Sequence, residues 1–205
     1  MSVLVETAYF PPVPYIAKIV EADSVFIEAF ESYKKQTIRN RCAIYGPNGI
    51  HILSIPVVKV NGNHTLTRDI RISDHQQWQR IHWRSIETAY NNSPFFLYYR
   101  DDIIRFYEKH FSFLIDLNSE ILPYLLKTLR NERPVSYTDH FENTPVGHSD
   151  FRNIFDTKYV SQTIHYPHYT QVFEPQHGFI GGLSILDILF NLGPESSNYL
   201  QNISK

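Results

Sequence analysis

A lone cysteine, Cys42, has no partner within the 205 residues of this chain, which excludes an intramolecular disulfide framework. Neither sign of charge is in excess: 19 Lys and Arg stand against 21 Asp and Glu, giving a formal net charge of -2 and an isoelectric point near 6.5. A protein that grips nucleic acid through its phosphates needs a cationic surplus, so no nucleic-acid partner is expected. No uninterrupted apolar run reaches the roughly 18 residues of a bilayer-spanning helix, and no membrane insertion is expected. The opening MSVLVETAYFPP lacks a basic region followed by a long apolar run. No secretory signal is read there, and the cytoplasm is the expected compartment. The chain has no internal repeat and no paired metal motif such as HExxH, so no metal is expected, and no pattern names a cofactor.

What is present is core material. The chain is 42% hydrophobic and 15% aromatic, enough for a substantial interior, and residues 1–205 read as a single domain. SVLVETAY, 2–9, is rich in β-formers and ends at Phe10-Pro11-Pro12. VPYIAKIVEAD then predicts a short helix closing near Asp23, and SVFIEAF, 24–30, predicts a second strand. Together they predict a parallel βαβ unit, whose loop at the strand's carboxyl end is a common place for a ligand. CAIY and IHILSIPVV flank Gly46-Pro47-Asn48-Gly49, which predicts a hairpin. TRDIRIS, 67–73, alternates as a strand. Asp74 stands where it would cap a helix over 75–91, which carries Trp78, Ile81, His82, Ser85, Ile86 and Ala89 at helical spacing. Further helices are predicted over 96–110, 118–130 and 183–195, and residues 132–173 predict loops with one or two short strands. The sum is an α/β (or α+β) fold with a mixed sheet, an N-terminal βαβ unit, a hairpin and packed helices.

YKKQTIRNRC, 33–42, holds Lys34, Lys35, Arg39 and Arg41 with Asn40 among them and no carboxylate within it. In a balanced chain this is a candidate anion seat. Arg41 and Asn40 stand at the entrance to a predicted strand, where a fixed backbone aims a guanidinium fork at a phosphate or carboxylate. Lys35 adds a mobile point charge, and Asn40 an orienting donor or acceptor. Lys34 and Arg39 read as the solvated flanks of this seat; the competing reading makes the whole segment a solvated connection between strands.

Other residues carry similarly divided readings. Cys42 beside Arg41 is either a nucleophile with a lowered pKa or a small buried core residue. His165 and His168, with His75, His82 and His177 elsewhere, supply imidazoles without a diagnostic metal spacing. Trp78 and His82, one turn apart, form either a core contact or part of a site. YPHYTQVFEPQHGF, 166–179, gathers Tyr166, Tyr169, Gln171, Phe173, His177 and Phe179. These suit stacking on a sugar or base, or packing over the sheet. Asp187, on a largely apolar helix, is either solvent-facing or the buried partner of Arg39 or Arg41.

YFPPVPYIAK with KQTIRNRCAI, WQRIHWRSIETAYNNSPFFLYY over 78–99, and HGFIGGLSILDILFNLGPES near the C-terminus closely resemble the WbqC-like proteins, in the form associated with Bacteroidota. The likeness runs over nearly the whole chain. It implies a link to O-antigen and other surface-polysaccharide biosynthesis, hence a nucleotide-activated sugar or its modification. The shared motifs fall on Tyr9, Phe10, Pro11 and Pro14, on Lys35, Asn40 and Arg41, and on Ser184, Asp187, Asn191, Gly193 and Pro194.

Residues and resemblance together predict a protein that binds a sugar phosphate or sugar nucleotide. Lys35 and Arg41 hold the phosphates, Asn40 orients them, and Tyr9, Tyr169, Gln171 and Asn191 complete the binding set. If the protein transfers a group, His177 or His82 is the expected base, with Asp187 in the same catalytic set. Two rivals make different demands. A noncatalytic partner of a polysaccharide assembly enzyme needs Tyr9, Tyr166 and Tyr169 exposed. A cysteine-dependent acyl or aminoacyl transferase needs an accessible Cys42 within reach of a histidine.

Overall fold

Strand β1 (Ser2–Glu6), helix α1 (Val13–Glu21) and strand β2 (Ser24–Glu28) form the predicted parallel unit in the computed structural model, which describes residues 1–74, 77–155 and 164–203. Ser2 lies opposite Ser24 and Glu6 opposite Glu28. Proline at 12 and 14 suits the start of α1, because first-turn N–H groups have no partner inside a helix. The Tyr15 hydroxyl donates to the Glu6 carbonyl at 2.7 Å, tying α1 to the end of β1. The Pro- and Gly-punctuated stretch 132–173 contributes two short strands, β7 (Val135–Tyr137) and β8 (Ser149–Asp150). They add to opposite sides of the pair, giving a four-stranded parallel sheet in the order β7-β2-β1-β8.

The hairpin also forms as expected, with β3 (Arg41–Gly46) antiparallel to β4 (Gly49–Ser54) across the two-residue loop Pro47-Asn48. Gly49 closes it at φ +92°, a backbone region that glycine enters without a Cβ penalty. Strands β5 (Val57–Val58) and β6 (Arg71–Ile72) form a second small antiparallel pair. The alternating TRDIRIS segment is mostly not strand. Thr67–Asp69 makes a tight helical turn, because the Thr67 and Arg68 N–H groups donate to Glu31 and Ala29 carbonyls and so leave any ladder.

Helices α2 (Trp78–Tyr90), α3 (Phe96–Glu108), α4 (Leu114–Thr128), α5 (Glu174–His177), α6 (Ile185–Leu192) and α7 (Ser196–Ile203) complete the fold. Asp74 does not cap α2; it lies in a turn, Gln77 precedes the helix, and residues 75 and 76 lie outside the described residues. Helix α4 begins before the predicted 118, because Leu114 and Leu117 belong to its buried face. The apolar 183–195 segment stops as helix at Leu192. Gly193 follows at φ +57° with the Phe95 ring packed so close that an added Cβ would meet it at 2.5 Å. The chain therefore turns there and re-enters helix as α7, whose polar sequence gives little apolar signal. Helix α1 packs on α7, α2 on α3 and β3, and α6 on α3, so one hydrophobic core fills the space between sheet, hairpin and helices.

All four parallel strands end at one edge, and an ionic network fills it. Arg39 is 0% exposed. Its Nε and Nη2 donate to Glu31 Oε1 at 2.7 and 2.5 Å, its Nη1 to Thr37 Oγ1 at 3.1 Å, and its Nη2 to Asn153 Oδ1 at 3.0 Å. Glu6 Oε1 lies 4.0 Å from Nη1, while Glu6 Oε2 accepts the Asn153 N–H at 3.0 Å. Alongside, Arg152 forks onto Asp150 at 2.9 and 2.7 Å and reaches Glu28 Oε2 at 2.8 Å. The expectation that Arg39 is a solvated flank is thus overturned. Its neutralising carboxylates lie outside the cationic segment, at the end of β1 and just after β2.

Arg39→Ala strands the Glu31 and Glu6 carboxylates in the interior and is expected to lower stability by about 3–5 kcal/mol. Urea denaturation reads this as a fall in the midpoint at unchanged m-value. Lys34→Ala, at a solvent-exposed position, is expected to shift stability by less than about 0.5 kcal/mol.

Candidate functional site

Two residues beyond Arg39, at the half-buried Arg41, the chain nears solvent again, and a groove of 610 Å³ opens between the 33–40 segment and β5. Tyr33, Lys35, Asn40, Ser54, Lys59 and Asn63 stand on its walls. The backbone there is fixed. Asn40 N–H and O are engaged with Thr37 O and Ile55 N, Asn40 Nδ2 donates to the Ile55 carbonyl at 2.8 Å, and Tyr33 N–H donates to the Thr65 carbonyl at 2.9 Å. The side-chain oxygens are not fixed by partners. Tyr33 Oη and Asn40 Oδ1 are withdrawn from solvent with no hydrogen-bond partner, a state that costs about 1–3 kcal/mol per group. Burial also pushes the Tyr33 hydroxyl pKa up, a rise that Arg39 and Arg41 oppose without cancelling.

Cations surround these oxygens. Lys35 is exposed and, among the described residues, has no acidic partner. Lys59 Nζ lies 5.7 Å from the Tyr33 ring centroid and donates to Asn63 Oδ1 at 3.3 Å. Arg41 stays at the rim, where its Nε donates to Ser54 Oγ at 3.3 Å. The structure therefore brings Lys35 and Asn40 to one groove, ties Arg41 to it through Ser54, and adds Tyr33 and Lys59. Tyr33 adjoined the cationic run and was readable as part of it. Lys59 was not, because only the fold of the hairpin and β5 brings it across.

The remaining predicted residues lie elsewhere. Tyr9 is buried, its hydroxyl 3.0 Å from His82 Nδ1 and 2.7 Å from the Tyr107 hydroxyl. His82 packs edge-on to Trp78 at 5.2 Å, the core-contact reading of that pair. Burial lowers its pKa to about 4, against a smaller upward pull from the Ser54 backbone. It is neutral at pH 7 and enclosed. His177 is exposed, and its Nε2 lies 2.7 Å from the Pro47 carbonyl at the hairpin turn. Cys42 is buried, and burial pushes its thiol pKa up, opposite to the shift a nucleophile needs. Among the described residues no group of three or more His, Cys, Asp or Glu is arranged to hold a metal; His75 lies outside them.

Asp187 is fully buried, but its partner is not a cation. Tyr90 Oη donates to Oδ1 at 2.9 Å, while Tyr169 Oη and Gln171 Nε2 donate to Oδ2 at 2.5 and 2.8 Å. Burial raises its pKa and these three donors oppose the rise. Gln171 also exchanges hydrogen bonds with Ile180, and Asn191 Nδ2 donates to the Asp187 backbone carbonyl at 2.8 Å. Tyr169 and Gln171 are thus consumed in holding the 166–180 loop onto α6, Asn191 bonds back within α6 itself, and both Tyr9 and Tyr169 are hidden from any protein partner. The groove that holds Lys35 is lined by neither Asp187 nor His177.

The family model described as the WbqC-like protein family matches residues 7–156 and 147–199. The chain is also 26% identical over 223 aligned positions to the uncharacterized protein Rv1507c of Mycobacterium tuberculosis, covering 97% of this chain and 96% of that one. No solved structure matches. Among the described residues no helix is long and apolar enough to cross a membrane.

Two predictions follow from the buried groups. The unfolded state protonates His82 near pH 6.5 and the folded state only near 4, so stability is intact above pH 6.5 and falls between 6.5 and 4, by about 3 kcal/mol. His82→Gln is expected to flatten that slope in chemical denaturation measured at successive pH values. Iodoacetamide is expected to leave native Cys42 unlabelled and to label it on unfolding in urea.

Proposed function

The chain belongs to the WbqC-like protein family, and on that premise we propose that it binds a phosphorylated or nucleotide-activated sugar of surface-polysaccharide biosynthesis in the groove beside Lys35. The observation that carries this reading is a groove whose walls set Lys35 and Lys59 beside Tyr33 and Asn40, two residues whose Oη and Oδ1 are withdrawn from solvent and have no partner among the described residues. A sugar brings hydroxyl groups that donate and accept; a phosphate brings the countercharge for the two ammonium groups and for Arg41 at the rim. A neutral apolar ligand supplies neither.

The groove is lined by no histidine, carboxylate or thiol among the described residues. Its own side chains therefore bind and orient, and the proposed activity is recognition of the activated sugar. The volume exceeds what one hexose fills and accommodates its phosphate as well.

Calorimetric titration with UDP-, GDP- and dTDP-sugars tests this. At least one is expected to bind the wild-type protein. Lys35→Ala and Arg41→Ala are each expected to weaken it about tenfold, the effect of losing one charge-assisted contact. Tyr33→Phe removes an oxygen that has no partner in the fold, so it is expected to retain stability while losing affinity. Absence of binding to all three sugar nucleotides, or equal binding by these variants, rejects the proposal.

A further inference from the structure

A larger cleft lies away from that groove, between α1, α3, α4 and α7, with a volume of 1010 Å³. At the end of α4 and in the turn after it, Lys127, Arg130 and Arg133 line one side; Tyr98 and Tyr99 of α3 also face this cleft. Among the described residues Lys127 and Arg130 make no ion pair. Arg133 is held by Asn131 Oδ1 at 2.9 Å and the Val20 carbonyl at 3.1 Å and makes no ion pair among the described residues, though its charge reaches Asp23. Of the acidic residues in the walls, Asp102 pairs with Arg105 at 2.5 Å and Glu21 with Lys18 at 3.0 Å, while Glu195 accepts from the neutral Asn198 amide at 2.8 Å and keeps its charge, one carboxylate against the three cations. The surplus charge available to a ligand is therefore positive.

Arg130 is the informative residue. Its N–H donates to the Lys127 carbonyl at 3.0 Å, and the Asn131 N–H donates to the Leu126 carbonyl at 2.9 Å. This is the hydrogen-bond pattern of a helix end whose left-handed position glycine fills without strain. Here an arginine adopts it, at φ +53°. A cation near a helix C-terminus complements the macrodipole, which accounts for Lys127 in the last turn. It does not require a side chain with a Cβ at a left-handed position, which glycine would end the helix at lower cost. Nor does it explain a Tyr98 ring 75% exposed on the same cleft. Exposed tyrosine offers a stacking face, and guanidinium and ammonium groups offer charge-assisted donors to phosphate oxygens.

We propose that this cleft is a second ligand site, separate from the groove, which takes a nucleoside diphosphate with its phosphates on Lys127, Arg130 and Arg133 and its base on Tyr98. Titration of the full chain with UDP, ADP and inorganic pyrophosphate, read by calorimetry, tests it. A nucleoside diphosphate is expected to bind. Arg130→Gly relieves the left-handed strain, so it is expected to keep or raise Tm while weakening nucleotide binding about tenfold or more; Lys127→Gln is expected to weaken it similarly. Tyr98→Ala is expected to weaken the nucleotides and leave pyrophosphate unchanged. Lys35→Ala and Tyr33→Phe are expected to leave this binding intact, which separates it from the groove. No nucleotide binding, or binding that Arg130→Gly and Lys127→Gln leave unchanged, overturns the site. Pyrophosphate binding as tightly as the nucleotides overturns the role of Tyr98.

Discussion

The buried Arg39 guanidinium is the constraint on which the arrangement of this protein rests. A fully enclosed cation is tolerated only when carboxylates and hydrogen-bond acceptors surround it. Here the acceptors come from four separate places: Glu6 at the end of β1, Glu31 beyond β2, Thr37 in its own segment and Asn153 beyond β8. Satisfying one side chain therefore fixes where the carboxyl ends of two central strands, the cationic segment and the turn after β8 lie relative to one another. It also determines where a ligand can sit. The carboxyl edge of an open parallel sheet is the usual docking place, but in this protein that edge is filled by charges that neutralise each other. The free cations are displaced to the next stretch of chain, beside Tyr33 and Asn40.

A second buried charge is handled in the opposite way. Asp187 has no cation; two phenol hydroxyls and one amide supply its hydrogen bonds. Neutral donors leave the carboxyl partly uncompensated, which is why burial prevails and its pKa rises. What this arrangement provides is position. Tyr90 bonds both Asp187 and the Tyr45 N–H, and the Tyr45 hydroxyl donates to the Phe173 and Gly178 carbonyls. Helix α2, the hairpin, the 166–180 loop and α6 are thereby locked around one carboxylate. Gly181 and Gly182 let that loop lie against the Tyr166 ring, where any Cβ would collide.

Elements carried by local pattern were legible in the sequence: the βαβ unit, the hairpin around Pro47-Asn48, and the cores of α2, α3 and α6. The errors share one cause, which is that long-range bonding overrode local signal. TRDIRIS alternates like a strand, yet its N–H groups are drawn to Glu31 and Ala29. Arg39 reads as solvated in the sequence because Glu6 is distant and Glu31 precedes Tyr33, where the cationic run begins. Asp187 could not be assigned its tyrosines, because neither Tyr90 nor Tyr169 announces a partner. For the candidate site, Lys35, Asn40 and Arg41 could be read from the run itself, whereas Lys59 required the chain to double back through β4 and β5.

The spacing of the acceptors around Arg39 has a consequence for how the chain is made. Asn153 lies 114 residues beyond Arg39 and 147 beyond Glu6, and β8 joins β1 only through the same late segment. During synthesis the N-terminal βαβ unit and the Glu6, Glu31 and Arg39 charges emerge long before β8, which completes the sheet, and Asn153, whose amide and backbone complete their hydrogen bonds. Glu6 and Arg39 must stay hydrated through most of translation, so closure of the parallel sheet's edge is a late, non-local step. Contacts of such sequence separation slow folding. The nascent protein therefore has its hairpin early and the edge of its parallel sheet sealed late.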